Sequence, residues 1–189
     1  RSINFGNSRI IDSLIEESNG VQRGKIIDIE NLSSTIKDSI KQIEKKINFT
    51  FNNVSIINTQ DNFNCINISG YKKLNGSQVL KEDISYILNN MKNIIRENNK
   101  DSTIIHLFNT SFNLDKNELK NLPIGLYGNF YNQHLTFFLI PENDLKNIKL
   151  VFKESNINVE RVFLKNFVGE LQNVKKLSQD NKNICIINI

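Results

Sequence analysis

Apolar residues recur along this chain at two spacings, and the changes between them mark its segments. Leu32, Ile36, Ile40, Ile43 and Ile47 follow three-four spacing, which predicts an amphipathic helix with one face to bury. Asp28 or Asn31 stands where its cap belongs. Ahead of it, residues 9 to 15 and 24 to 29 predict two strands joined by a Ser18-Asn19-Gly20 turn and able to pair as a hairpin. After Phe49 the period shortens, with strands around Val54 and Ile56, around Phe63 and Cys65, and at Ile68, broken near Asp61-Asn62 and at Gly70. A second helix runs from about Lys81 to Glu97, carrying Ile84, Ile87, Leu88, Met91, Ile94 and Ile95 on one side.

Strands return at Thr103 to Phe108, Phe112 to Leu114, roughly Leu126 to Tyr131, and His134 to Ile140. Pro141, Glu142 and Asp144 then open a third helix, since proline lacks a donor that would be orphaned there and acids suit the positive helix end. That helix carries Leu145, Ile148, Val151 and Phe152. A strand from Asn158 to Phe163, a fourth helix with Phe167, Leu171, Val174 and Leu177, and an alternating strand at Ile184 to Ile189 complete the pattern. Because the chain stops inside that last strand, truncation is expected. No repeats occur, and no linker rich in Pro, Gly or Ser.

At 189 residues the chain can bury roughly 70% of its unfolded surface. Cys65 and Cys185 lie in apolar runs with no second Cys or His at ligand spacing, which predicts reduced buried thiols and a cytoplasmic setting. No run reaches the ~20 apolar residues of a membrane span, and the first twenty residues lack a signal-peptide layout. The net charge of +4 could suit nucleic acid. However, Lys41, Lys45 and Lys46 are interleaved with Glu44, and Lys146, Lys149 and Lys153 with Glu154, as on solvated helix faces, so no nucleic-acid partner is expected. The 32 Asn and absence of Ala lower helix propensity slightly.

Catalytic chemistry is not written into these residues. No glycine-rich loop could bring backbone N–H groups onto a phosphate. His106 and His134 sit inside apolar strand patterns, where a hydrogen-bonded structural histidine is expected, and the pairs Glu16-Glu17 and Glu82-Asp83 sit at a strand end and a helix start. An enzyme with its own substrate is therefore not expected.

Four segments in order carry a resemblance. Gly20, Val21, Gln22, Arg23, Gly24, Lys25 to Glu30 form a glycine, a short partly basic stretch, a second glycine, and a strand ending in an aspartate before a helix. Val79, Leu80, Lys81, Glu82, Asp83, Ile84 form a helix start. Ile104 to Asp115 form a strand pair containing His106 and Phe112. Leu122, Pro123, Ile124, Gly125, Leu126, Tyr127, Gly128 form a turn before the strand His134 to Ile140. Together these resemble the FtsA family of bacterial cell-division proteins. Two positions depart from its pattern: Leu80 stands for a threonine cap and Asn109 for a proline.

The resemblance implies an α/β (α+β) fold: part of an actin-like (ribonuclease H-like) 1A subdomain at residues 1–50 and 141–189, with an inserted strand-helix-strand-strand SHS2 (1C) subdomain at 51–140. It also implies an ATP-binding adaptor at the inner face of the membrane at the division site, tethering the FtsZ ring and recruiting later division proteins. Self-association into filaments and recruitment fall to 1C, and the membrane is reached through a C-terminal helix beyond this chain. The strand Ile184 to Ile189 resembles the one carrying the second phosphate loop, with Asn188 where the family has aspartate. A neutral amide there holds magnesium and its water less well than a carboxylate, which argues against hydrolysis. ATP and magnesium are thus expected in the whole parent and not in this piece, which has neither phosphate loop complete. The neighbouring alternatives are a PilM-like pilus-assembly adaptor and, in a different class, a basic nucleic-acid-binding α/β module.

Overall fold

The computed structural model describes residues 10–165, 167 and 168. Contacts divide the chain into two units: Arg1–Gln60 with Lys146–Ile189, and Asp61–Leu145. The second is therefore an insertion into the first.

In the first unit, β1 (Val21–Gln22) and β2 (Lys25–Ile26) form a minimal antiparallel hairpin. Its two-residue turn, Arg23 and Gly24, holds both residues at positive φ, 49° and 75°, the backbone twist that tight hairpins select. Helix α1 (Ile29–Ile47) follows, capped by Asp28, whose Oδ1 accepts the Asn31 N–H at 3.0 Å. Asn48 ends it in the left-handed conformation and donates its N–H to the Glu44 carbonyl. The apolar stripe is only partly covered: Leu32 is buried, and Ile36, Ile40, Ile43 and Ile47 are half-buried. Strand β3 (Asn53–Asn58) pairs in parallel with β8 (Asn158–Leu164), so the connection between them contains the whole second unit.

The second unit is a four-stranded antiparallel sheet in the order β4-β7-β5-β6, with α2 (Lys81–Asn98) on one face. Its strands are β4 (Asn64–Lys73), β5 (Ser102–Leu114), β6 (Asn117–Leu119) and β7 (Phe130–Pro141). Strand β7 alternates strictly, Tyr131, Gln133, Leu135, Phe137 and Leu139 being buried and the residues between them not, which is the period-2 signature of a sheet covered on one side. Those side chains meet Ile87, Met91 and Ile95 of α2 in the core. Helix α3 (Glu142–Lys153) follows directly and buries Ile148 and Val151.

Several expectations change. Ile10 to Ile15 form no strand: Ile10, Ile11 and Ile15 are exposed, and the segment has no strand partner among the described residues. The hairpin partner of Lys25–Ile26 is Val21–Gln22 instead. Gly70 does not break β4, because a Cβ there would lie 2.7 Å from Ile87 Cγ2; the glycine lets α2 sit against the strand. The expected breaks around Asn109 to Ser111 are absorbed by a bulge, so β5 runs unbroken with a second bulge between Ile104 and His106. Residues 126 to 129 are loop, and β7 begins at Phe130. Cys65 is exposed, its side chain being on the sheet face opposite α2. Because β3 pairs with β8, the first unit extends to Gln60, beyond the expected boundary at 50, and the second unit closes at Leu145. The fourth helix beyond Val168 and the strand Ile184 to Ile189, with Asn188, lie outside the described residues.

Candidate protein-interaction site

Three stretches far apart in sequence, 74–83, 114–115 and 122–130, meet at one end of the second unit. Backbone hydrogen bonds join the first and third: Leu74 N–H to Asn129 O (2.7 Å), Val79 N–H to Leu126 O (2.9 Å) and Gly125 N–H to Val79 O (2.9 Å). The 122–130 loop is thereby held nearly as a sheet would hold it. From the other side the Asp115 carboxylate accepts the N–H groups of Asn129 (2.8 Å) and Phe130 (2.9 Å). Gly128 has no room for a side chain, since a Cβ would lie 2.5 Å from Leu114 Cδ1.

Val79 and Pro123 anchor this end inward and are buried. Outward, the same backbone displays Leu80, Leu122, Ile124, Leu126 and Tyr127, between 42% and 71% exposed. Isolated exposed apolar residues are ordinary, whereas several of them on hydrogen-bonded backbone make a candidate surface for a protein partner. Phe130 and Tyr71, also exposed, are diagonal neighbours across β4 and β7 beside it.

Leu80 sits at the N-cap of α2 and has no side-chain acceptor to offer. Its own N–H is taken by Asp83 Oδ2 at 2.8 Å, which is half of a capping box. The buried Asp83 is also paired with Lys72, which lies over the Tyr86 ring. Burial pushes the Asp83 carboxyl up, but the Lys72 and Leu80 hydrogen bonds and the lysine charge outweigh it and hold the carboxyl below its usual value. Its stabilising contribution is therefore complete above about pH 4 and lost as pH falls through the folded-state value. Lys72→Met, which leaves that carboxylate buried with one partner fewer, is expected to cost about 2 kcal/mol at neutral pH and less in acid. Urea unfolding of variant and parent at several pH values measures this.

The open face of the sheet carries the two histidines. His106 is half-buried among Phe108 and Phe138, and burial lowers its pKa. His134 lies four residues from Phe138 along β7, beside a shallow cleft with Asn67, Thr110 and Ser111. Phe138 is the residue opposite His106, so at ~3.4 Å per residue the two histidines are offset by about 14 Å along the strands and form no catalytic pair. Beneath the helix, the Tyr131 hydroxyl donates to Gln133 Oε1 at 3.3 Å, and Gln133 Nε2 donates to Asn109 Oδ1. Burial pushes Tyr131 up to about 12. Among the described residues, no cluster of His, Cys, Asp or Glu could hold a metal ion.

The family described as "SHS2 domain inserted in FTSA" matches residues 61–132, which lie wholly within the inserted unit. The cell division protein FtsA of Buchnera aphidicola from Schizaphis graminum is 27% identical over 186 residues, covering 97% of this chain. The FtsA of Escherichia coli K12 is 21% identical over 91% of it. The chain is thus similar to FtsA proteins over nearly its whole length, and its inserted unit matches the SHS2 family. It spans 43% and 40% of the lengths of those two relatives. A solved PilM-PilN type IV pilus biogenesis complex shares the fold, with a TM-score of 0.55 at 8% identity over 87% of this chain and 43% of that one. The architecture is thus a partial actin-like fold carrying an SHS2 insertion.

The structure brings together the three FtsA-like segments of the inserted unit that sequence matched separately: Val79 to Ile84, the end of Ile104 to Asp115, and Leu122 to Gly128 build the apolar rim. The two departures from the family pattern also acquire a local meaning. Asn109, in place of proline, gives the buried Gln133 amide a partner. Leu80, in place of threonine, removes a helix cap and adds apolar surface to the rim. Restoring the cap with Leu80→Thr is expected to stabilise the unit by about 1 kcal/mol, read as a raised thermal midpoint. Asn188, the one nucleotide-site residue expected from sequence, lies outside the described residues.

Proposed function

We propose that the chain is part of an FtsA-type adaptor that links the FtsZ ring to the cytoplasmic face of the membrane and recruits later division proteins. In this reading Arg1–Gln60 with Lys146–Ile189 belongs to the actin-like 1A subdomain, and Asp61–Leu145 is the 1C subdomain, which serves self-association and recruitment. The observation that supports it is the rim of Leu80, Leu122, Ile124, Leu126 and Tyr127, an exposed apolar surface on hydrogen-bonded backbone built from segments that resemble the family. No helix among the described residues is long and apolar enough to cross a membrane, and the proposed anchor is a C-terminal helix of the parent protein.

Nucleotide belongs to the parent protein in the same reading. ATP and magnesium would be held by two phosphate loops of which this sequence contains neither in full, with Asn188 weakening the hold on magnesium. Isothermal calorimetry of the chain with ATP should accordingly show no binding, and micromolar affinity would count against the assignment.

Two-hybrid pairing of the chain with itself and with later division proteins tests the adaptor role. Leu126→Glu, which puts a charge at the middle of the rim, is expected to abolish at least one pairing while leaving the circular dichroism spectrum unchanged. Leu80→Thr should weaken the same pairing although it stabilises the fold, which separates surface from stability. Full retention of every pairing by both variants would overturn the proposal.

A further inference from the structure

Strand β4 is the long edge of the four-stranded sheet; the other edge strand, β6, has three residues. Edge strands in native proteins are usually shortened, bulged, broken by proline or covered. β4 has ten residues, none of them proline, and pairs with β7 without a register shift from Asn64 to Lys73. Alternate residues of such a strand direct their N–H and C=O groups away from β7, so roughly half of its ladder is presented outward. Cys65, Asn67, Ser69 and Tyr71 on the face opposite α2 are all exposed. The one protective device is Lys72-Lys73 at the C-terminal end.

We propose that two copies of this chain pair antiparallel through β4, forming a continuous eight-stranded sheet across a two-fold axis. The proposal rests on the reading of the inserted unit as an association module and names one surface of it, separate from the apolar rim. Charge decides the occupant and the direction. In antiparallel self-pairing each Lys72-Lys73 lies across from the neutral Phe63-Asn64 end of the other copy, whereas parallel pairing would set lysine against lysine. Both partners are already ordered strands of equal length, so no chain must be fixed on binding, as it would be for a disordered peptide. A two-fold contact is also the commonest closed assembly.

Keeping both α2 helices on the same side of the joined sheet requires residues of the same face to oppose each other. The register centred on Ile68 does this. It sets the half-buried Ile68 against its own copy and Ile66 against Gly70, with Asn67 across from Ser69 and Cys65 across from Tyr71 on the open face. Centring on Ser69 would set Ile66 against Lys72, which is less favourable.

The test uses the whole chain with Cys65→Ser and Cys185→Ser as background. Under mild oxidation a mixture of the Asn67→Cys and Ser69→Cys proteins should form a disulfide-linked dimer, and Asn132→Cys, on the middle strand β7, should not. The parent chain should move from monomer to dimer mass in analytical ultracentrifugation as its concentration rises, and the variant Ser69→Lys should stay monomeric with an unchanged thermal midpoint. Cross-linking by Ser69→Cys alone also supports edge pairing, in the shifted register. Equal cross-linking at Asn132→Cys, or a monomer at every concentration, overturns it. A monomer whose lysine variant loses a division-protein partner assigns the edge to that partner's strand and likewise overturns self-pairing. The rim variants, which leave β4 intact, report on the adaptor reading independently of any of these results.

Discussion

Gly20→Ala is expected to destabilise the first unit by about 3 kcal/mol, loosening the start of α1 before anything else. Gly20 has φ +90°, and a Cβ built on it would lie 2.3 Å from the Asp28 carbonyl oxygen and 3.2 Å from Leu32 Cβ. The nearest neighbour is a backbone atom, which cannot swing aside as a side-chain end can. The Gly20 carbonyl also accepts the N–H groups of Ile27 (2.8 Å) and Asp28 (3.2 Å), so displacing it disturbs the residue that caps the helix. Left-handed strain accounts for about 1 kcal/mol and the backbone clash for the remainder. Gly76→Ala is the control: its φ is +83° but nothing lies within 4 Å of the added Cβ, so it should cost only the strain. Hydrogen exchange of α1 amides, alongside urea unfolding, reads both. Equal costs for the two variants would show that the clash at Gly20 relaxes away.

The same glycine shows what sequence could and could not disclose. That Gly20 and Gly24 flank a short basic stretch before a strand and a helix is legible as a motif. That each is there because a side chain would strike a particular backbone, Asp28 for Gly20 and the Gln60 amide for Gly24, depends on where the chain returns, which no local pattern records. Helices were readable because 3.6-residue periodicity and capping are local: α1 and α2 lie within a residue or three of where Leu32 to Ile47 and Ile84 to Ile95 placed them. Strand limits were less so. Asn109-Thr110-Ser111 looks like a turn by composition, yet the strand bulges there and continues, with Thr110 Oγ1 hydrogen-bonded to Thr136 Oγ1 at 2.9 Å. Gly70 looks like a breaker and is instead the place where α2 touches the sheet. Ile10 to Ile15 have a strand's composition, but strand formation needs a neighbouring strand as well as propensity.

The interaction rim was half legible. Each of its segments could be matched to a family pattern, but the meeting of Val79 with Gly125 and Leu126, and of Asp115 with Asn129 and Phe130, is a tertiary fact. The exposed apolar side chains could be seen as a surface only once that meeting was known. Leu80 illustrates the point. In sequence it is a missing cap, a defect of about 1 kcal/mol; in the fold it is apolar surface beside Ile124 and Leu126. A local rule broken without local compensation is where function is expected to intrude on stability.

Phe137→Ala carries the largest expected loss, about 3 to 5 kcal/mol, the range for deleting a fully buried aromatic side chain. Phe137 has no exposed surface and lies in the core with Leu135, Leu139, Ile87 and Met91. The adjacent Phe138 is the internal comparison, because β-strand alternation sends it to the open face. There it is half-buried, with ring centroids 5.9 Å from Phe63 and 5.8 Å from Phe108. Phe138→Ala removes those ring contacts and leaves no enclosed cavity, so about 1 kcal/mol is expected. Chemical denaturation of the two variants therefore measures directly which face of β7 is the core. The functional consequence differs as well. Phe137→Ala withdraws support from α2 and from the strand that carries Phe130, so it should weaken partner pairing through the rim and association through β4 together. Phe138→Ala should spare both. Were Phe138→Ala to abolish pairing at small cost in stability, the open face of the sheet would replace the rim as the principal contact surface.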